Sequence, residues 1–230
     1  MNTQERKYNS MSIVLLGDFQ PAMFHPSWFL KNEVITKAEY DSIINSESNQ
    51  LIASNAITQF ETSMTSFSIE QKRLQLIGKK EPFEKCIDSF KKMFDSLTAI
   101  PIQAYGLNYF FHLKATKEEM DIIGKNLAPR KYWTSVFDES ENNDPRNGLV
   151  SMTMRVVKDF GLLNVRIESS NRIQGIYFDY NFHNVQSNSE SFSVSDIIDT
   201  IDNQYNAFSS IVNDTTRSII GKVLGDETVC

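Results

Sequence analysis

The chain has 230 residues, of which 40% are apolar and 16 are phenylalanine, so its composition excludes a disordered protein and supports a sizeable core. Its formal net charge is −6, and Lys and Arg are scattered along the sequence. Because binding to a phosphate backbone requires a basic stripe, this distribution disfavours nucleic acid as the main partner. The length predicts one α+β domain over 1–230, with a subdivision into 1–137 and 147–230 as the alternative.

The N-terminal part of the sequence predicts a strand and short helices. Residues 11–16 form an apolar run that predicts a buried strand, and residues 1–9 are expected to fray. The segment 36–39, Thr-Lys-Ala-Glu, is a capping box that predicts the start of a helix. The apolar residues of that helix that are expected to face inward are Tyr40, Ile43 and Ile44.

A hairpin and a longer helix are predicted next. Residues 57–77 alternate between apolar and polar, and the phase changes between Met64 and Phe67, which predicts a β-bulge. Helix 83–97 is predicted by apolar residues at three- and four-residue spacing. Those residues are Phe83, Cys86, Ile87, Phe90, Met93, Phe94 and Leu97.

The middle of the sequence predicts a central strand. Residues 102–114 are apolar at both odd and even positions, as expected of a strand that is buried on both faces. A second capping box at 116–119 predicts a helix that ends before Pro129. Residues 132–137 predict a short strand, and 138–146 predict a polar loop.

The C-terminal third predicts a three-stranded meander followed by a long helix. Apolar and polar residues alternate with a period of two, which is typical of half-buried antiparallel strands. The apolar positions are Val150, Met152, Met154, Val156, Leu163, Val165, Ile167, Ile176, Phe178, Tyr180 and Phe182. An amphipathic helix over 195–212 is expected to cover the apolar face. Because 57–97 and 150–220 share the order of strands and then a helix, two similar sheet-plus-helix halves are also considered.

The order of one strand, two short helices, further strands and a long C-terminal helix resembles that of helix-grip proteins, without a shared motif. The resemblance implies a curved sheet that holds an apolar ligand against the long C-terminal helix. Helix 83–97 departs from this order, since it would interrupt the continuous sheet. The main expectation is therefore an α+β fold with antiparallel sheets packed against helices 83–97 and 195–212, and the helix-grip arrangement is the alternative.

Polar residues on the strands of the meander form the candidate interaction or ligand face. They are Arg155, Arg166, Glu168, Asp179 and His183. Asp179 and His183 lie four residues apart, roughly 13 Å at about 3.3 Å per residue, so they cannot chelate one ion or form a direct acid–base pair. The face is interpreted as solvated surface, with a partner-covered face or a ligand site as alternatives. Trp28 and Trp133 lie near predicted loops, where they are either satellite core or interface anchors.

No catalytic, metal or cofactor motif is recognisable. The three histidines are isolated in the sequence, so no metal site and no cofactor are expected. Cys86 lies on the apolar side of a predicted helix and Cys230 is the last residue, so no structural disulfide is expected. The sequence also shows no leader pattern and no apolar run of membrane-spanning length. These observations together predict a protein of the reducing cytoplasm without a membrane partner.

The sequence therefore favours a non-catalytic, cytoplasmic interaction or assembly module that binds itself as a homodimer or binds another protein. The homodimer is expected because strand 102–114 needs cover on both faces. The second alternative is a small-molecule carrier or sensor with an apolar pocket. The third is a hydrolase or nuclease that uses scattered carboxylates.

Overall fold

The computed structural model describes residues 6–45, 51–97, 100–133, 148–159, 161–185 and 191–224. The strands are β1 (Arg6–Gly17), β2 (Ile52–Ala53), β3 (Ile57–Glu61), β4 (Thr65–Glu70), β5 (Arg73–Gly78), β6 (Ile102–Lys114), β7 (Ser151–Lys158), β8 (Gly161–Ser169) and β9 (Gly175–Val185). The helices are α1 (Pro26–Lys31), α2 (Lys37–Asn45), α3 (Glu84–Asp95), α4 (Lys117–Leu127) and α5 (Val194–Leu224), with 3-10 turns at Pro21–Phe24 and Arg130–Tyr132. The predicted α+β class with an antiparallel sheet is confirmed.

All nine strands join in one antiparallel sheet with the order β2-β3-β4-β5-β1-β6-β9-β8-β7. The order of helices and strands follows a similar pattern on the two sides of the central β1–β6 pair. After β1 the chain forms α1 and α2, then a meander whose last strand, β5, pairs with β1, and then α3. After β6 it forms α4, then a meander whose last strand, β9, pairs with β6, and then α5. The two halves of the chain therefore have similar topologies, except that the first meander has four strands and the second has three.

The main core lies on one side of the sheet, which we call the helix side. Phe208 of α5 packs on Tyr109 of β6 with ring centroids 4.6 Å apart. Phe29 of α1 packs on Phe60 of β3 at 4.8 Å and on Phe67 of β4 at 5.0 Å. Because α5 also contacts α3 and α4, the helices of both halves form one layer. The opposite side, which we call the open side, is covered by no helix among the described residues.

Three details of the first half differ from the predictions. β1 begins at Arg6, inside the segment expected to fray, because the Arg6 guanidinium lies 4.5 Å from the centre of the Phe111 ring and bonds to α5. The phase change expected to be a bulge is a turn between β3 and β4, where the Thr62 hydroxyl oxygen accepts the Thr65 N–H at 3.0 Å. Ile44 was expected to face inward but is 43% exposed, because the helical turn directs Ile43 into the core instead.

The second half differs from the predictions at both ends. α5 continues past residue 212 to Leu224, since Thr216 does not end the helix but forms a buried hydrogen bond of 2.7 Å to the Tyr180 hydroxyl. The predicted meander is confirmed as β7, β8 and β9, but Met154 of β7 is 57% exposed, contrary to the expected half-buried strand. Of the predicted strand 132–137, Tyr132 lies in a 3-10 turn and residues 134–137 lie outside the described residues, as does loop 138–146.

Candidate functional site

A row of polar side chains crosses the open side of the sheet. The register places Ser12, Asn108, Asn181, Asn164 and Arg155 next to one another on β1, β6, β9, β8 and β7. Arg155 Nε donates to Asn164 Oδ1 at 2.9 Å, and Asn164 Nδ2 donates to Asn181 Oδ1 at 3.4 Å. Asn181 Nδ2 then donates to Asn108 Oδ1, and Asn108 Nδ2 donates to Ser12 Oγ at 3.1 Å. We call these five residues the asparagine row.

Every hydrogen bond of the asparagine row donates in the same direction, from β7 towards β1. Amide groups linked in this way polarise one another, so each bond strengthens its neighbours. The row also fixes the relative register of five strands, because a slip of one residue would move the asparagines to the other side of the sheet. It thus accounts for polar residues inside otherwise apolar strands, such as Ser12 between Met11 and Ile13.

His183 extends the asparagine row at β9. Its Nδ1 lies 2.8 Å from Asn181 Oδ1, which is a carbonyl oxygen, so Nδ1 carries the hydrogen and donates it. Burial and the nearby Arg155 guanidinium lower the pKa of His183. The imidazole is therefore held neutral at physiological pH, as a hydrogen-bonding group.

A charged cluster lies beside the row on β8 and β9. Arg166 Nη2 donates to Asp179 Oδ2 at 2.9 Å, and Arg166 Nη1 is 3.7 Å from Glu168 Oε2. The guanidinium also lies 5.5 Å from the centre of the Tyr177 ring. Burial raises the pKa of Asp179, although Arg166 acts in the opposite direction. Since the Arg166 side chain is 42% exposed and therefore screened by solvent, such a pair contributes at most about 1 kcal/mol to folding.

The structure brings together five of the seven residues predicted for the site. Arg155, Arg166, Glu168, Asp179 and His183 all lie on the open side of β7, β8 and β9. The two tryptophans lie elsewhere. Trp28 packs on the helix side, with ring centroids 5.3 Å from Phe24 and 5.2 Å from Phe29, and Trp133 is 51% exposed after the second 3-10 turn.

The open side offers hydrogen bonds and paired charges. Amide side chains do not ionise at neutral pH, and the Asp179 carboxylate is paired with Arg166. Within the described ranges, no three His, Cys, Asp or Glu side chains are grouped so that they could hold a metal ion. The arrangement therefore suits recognition of a partner more than general acid–base chemistry.

The outer edge of the second half is a separate surface feature. β7 pairs with β8 on one side, and no other strand of the described chain pairs with its second side. Apolar side chains are exposed on both faces of this edge strand, with Met154 on the helix side and Val157, 78% exposed, on the open side. Because an unpaired strand edge presents free N–H and C=O groups, apolar exposure here marks a surface for strand addition.

A cavity of about 430 Å3 lies on the helix side, where the start of α3, α5, β1 and β6 meet. Four aromatic rings line it, namely Phe83, Tyr109, Tyr205 and Phe208. No pattern in the sequence indicated this cavity, because its walls come from segments far apart in the chain.

No protein-family model matches the chain, and no curated protein is similar to it. None of the described helices combines the length and the apolar character that a membrane span requires. The features of the molecule that bear on its function are therefore the open side, the β7 edge and the cavity.

Proposed function

We propose that the chain is a non-catalytic interaction and assembly module that forms a homodimer through the edge of β7. The observation that carries the proposal is the exposure of Met154 on the helix side, where Leu163, Val165 and Ile167 of the neighbouring β8 are buried. Pairing of β7 with β7 of a second copy would satisfy its free backbone groups and cover this side chain.

The sequence of β7 is compatible with a two-fold antiparallel pair. A register centred on Met154 places Met152 opposite Val156 of the second copy on the helix side, so apolar side chains meet. On the open side it places Thr153 opposite Arg155 of the second copy. A register centred on Arg155 would instead place two guanidinium groups opposite each other, which is destabilising. The expected total burial is on the order of 1,200–2,000 Å2, as in other specific interfaces.

This proposal replaces the original reason for expecting a homodimer. β6 needs no second copy, because on its open side Asn108 bonds within the asparagine row and the Phe110 ring lies 6.0 Å from the Tyr177 ring. The part of the sheet that a second copy would cover is therefore the β7 edge and not the central strand. Binding to a different protein through the same edge, and a location in the cytoplasm, also stay proposals.

Cysteine cross-linking tests the register. Met154→Cys, made in a Cys230→Ser background, should form a disulfide between two chains under mild oxidation, since two-fold pairing brings both positions within disulfide reach. Met23→Cys in the same background is the control, because Met23 is 40% exposed but lies in the first half. Cross-linking of both variants to the same extent, or of neither, would contradict the proposal.

A second candidate function is small-molecule binding, which the cavity favours. Residues of both β6 and α5 line it. Its lining also contains Arg6, Glu81 and Glu84, so the pocket is not purely apolar. An enzyme acting through scattered carboxylates has no comparable support among the described residues.

A further inference from the structure

We infer that the cavity between α3 and α5 binds a small organic cation, a substituted ammonium whose charge lies among the aromatic rings. This inference deepens the second candidate function, and it is independent of self-association through β7. The features that favour such a ligand are the aromatic rings, the charged groups of the lining and the size of the cavity.

The rings of the lining pack on one another in both edge-to-face and stacked arrangements. Tyr109 and Phe208 are 4.6 Å apart with an interplanar angle of 63°, and Phe83 and Tyr109 are 5.9 Å apart at 75°. Tyr205 stacks on Phe208 at 5.5 Å. Since the face of an aromatic ring is negative, a cation that contacts one of these rings from the cavity would be attracted to it.

Two carboxylates add negative charge at the mouth of the cavity. Glu81 lies before α3 and Glu84 lies in its first turn, and both side chains are exposed. The Tyr109 hydroxyl donates to Glu81 Oε1 at 3.1 Å, and Tyr205 hydrogen-bonds to Glu84. Burial and the Glu81 carboxylate raise the pKa of Tyr109 to about 12, and burial with Glu84 raises the pKa of Tyr205. Burial is the main cause of both shifts, and the carboxylates add to it while Arg6 opposes it at Tyr109.

Arg6 is the opposing charge, and it is held by its own contacts. Its Nη2 donates to Asn213 Oδ1 at 2.6 Å, and its guanidinium lies 4.5 Å from the centre of the Phe111 ring. Two carboxylates and one guanidinium give the lining a net charge of −2 + 1 = −1. An anionic ligand would meet both glutamates on entry, so the charge of the lining favours a cation.

The volume suits a compact ligand. A cavity of about 430 Å3 lies at the small end of ligand-binding pockets, which span about 300–1,000 Å3. A substituted ammonium matches the site better than a metal ion, because its apolar groups can contact the rings while its charge faces them.

Titration of the full chain with choline tests the inference, with protein NMR or calorimetry as the readout. The comparison ligand is the neutral isostere of choline in which carbon replaces the ammonium nitrogen. Choline should bind about tenfold more tightly than the isostere, because only the cation gains from the rings and carboxylates. Glu84→Gln should weaken choline binding severalfold, while Glu70→Gln, an exposed carboxylate on β4, should leave it unchanged.

The possible outcomes are distinguishable. Equal binding of choline and the isostere would overturn the inference that the ligand is a cation, but it would leave the second candidate function intact. Absence of binding by either ligand up to about 10 mM, which corresponds to a free energy weaker than about 3 kcal/mol, would overturn the inference. Equal weakening by Glu84→Gln and Glu70→Gln would place any choline binding outside the cavity. None of these results bears on the mass of the protein in solution.

Discussion

The two meanders of the sheet have similar topologies but differ in cover, although both residues of the first edge strand, β2, are exposed as well. At the first end, α1 places Phe29 against Phe60 and Phe67, and all three rings are buried. At the second end, Met154 is exposed on the same side of the sheet, because α4, which follows β6 as α1 and α2 follow β1, packs beside α5. The difference indicates that packing on α1 stabilises β3 and β4, whereas Met154 of β7 adds little to the core.

The largest expected effect lies at the covered end. Phe29→Ala should destabilise the protein by about 3–5 kcal/mol, because it removes a buried ring and leaves a cavity beside Phe60 and Phe67. Val157→Ala, at the uncovered end, should lower the free energy of unfolding by less than about 0.5 kcal/mol when the protein is dilute. Urea titration of both variants measures the difference. Similar losses would show that the two ends are equally packed.

The two halves also differ on the open side, because all three asparagines of the asparagine row lie in the second half. Asn181→Ala should cost about 1–3 kcal/mol, since it leaves Asn108 Oδ1 and Asn164 Nδ2 without their partner in the row. Ser66→Ala, which removes an exposed hydrogen bond to Glu61 in the first half, should cost less than about 0.5 kcal/mol.

A double-mutant cycle sharpens this test of the row. Asn108→Ala combined with Asn181→Ala should cost clearly less than the sum of the two single changes, because both remove the same hydrogen bond. Strict additivity in chemical denaturation would mean that the row does not act as a unit.

A smaller effect is expected from His112 in the second half. Ser170 Oγ accepts the N–H groups of Arg172 and Ile173, so its own hydrogen is donated to His112 Nδ1 at 2.8 Å and the ring must be neutral. Burial and Arg172 lower the pKa of His112, while Glu168 acts in the opposite direction. Because the folded pKa lies below the unfolded one, this stabilisation is present above the ordinary histidine pKa and is lost as the pH falls.

Thermal unfolding at several pH values measures this effect. The melting temperature should fall between about pH 7.5 and about pH 5.5, which spans the ordinary pKa of about 6.5. The fall should be smaller in His112→Gln, since glutamine keeps a polar partner for Ser170 but does not titrate. His25→Gln is the control, because His25 lies in the first half. Identical pH profiles of the wild type and His112→Gln would contradict the assignment.

Local patterns predicted the elements whose signals are contained within one segment. The alternation in β8 and β9, both capping boxes and the apolar spacing of α3 are confirmed. The elements predicted wrongly depend on distant partners. The start of β1 depends on Arg6 reaching Asn213, and the extension of α5 depends on Thr216 reaching Tyr180.

The candidate sites show the same limit. The alternation placed Arg155, Arg166, Glu168, Asp179 and His183 on one side of the meander, but it could not link them to Asn108 or Ser12. That link requires the pairing of β1 with β6 and of β6 with β9, which no local pattern reveals. The cavity was missed for the same reason, since Arg6, Glu81 and Phe208 are separated by long stretches of chain.

The central claim is that the uncovered edge of β7 holds two copies together. Light scattering across a dilution series from about 100 μM to about 0.1 μM, which brackets micromolar dissociation constants, tests it most directly. The wild type and the control Met23→Lys should show twice the chain mass at high concentration. Met154→Lys should show the mass of a single chain at every concentration, because a two-fold pair would place the two lysine charges opposite each other. A single-chain mass for the wild type at every concentration would contradict the claim.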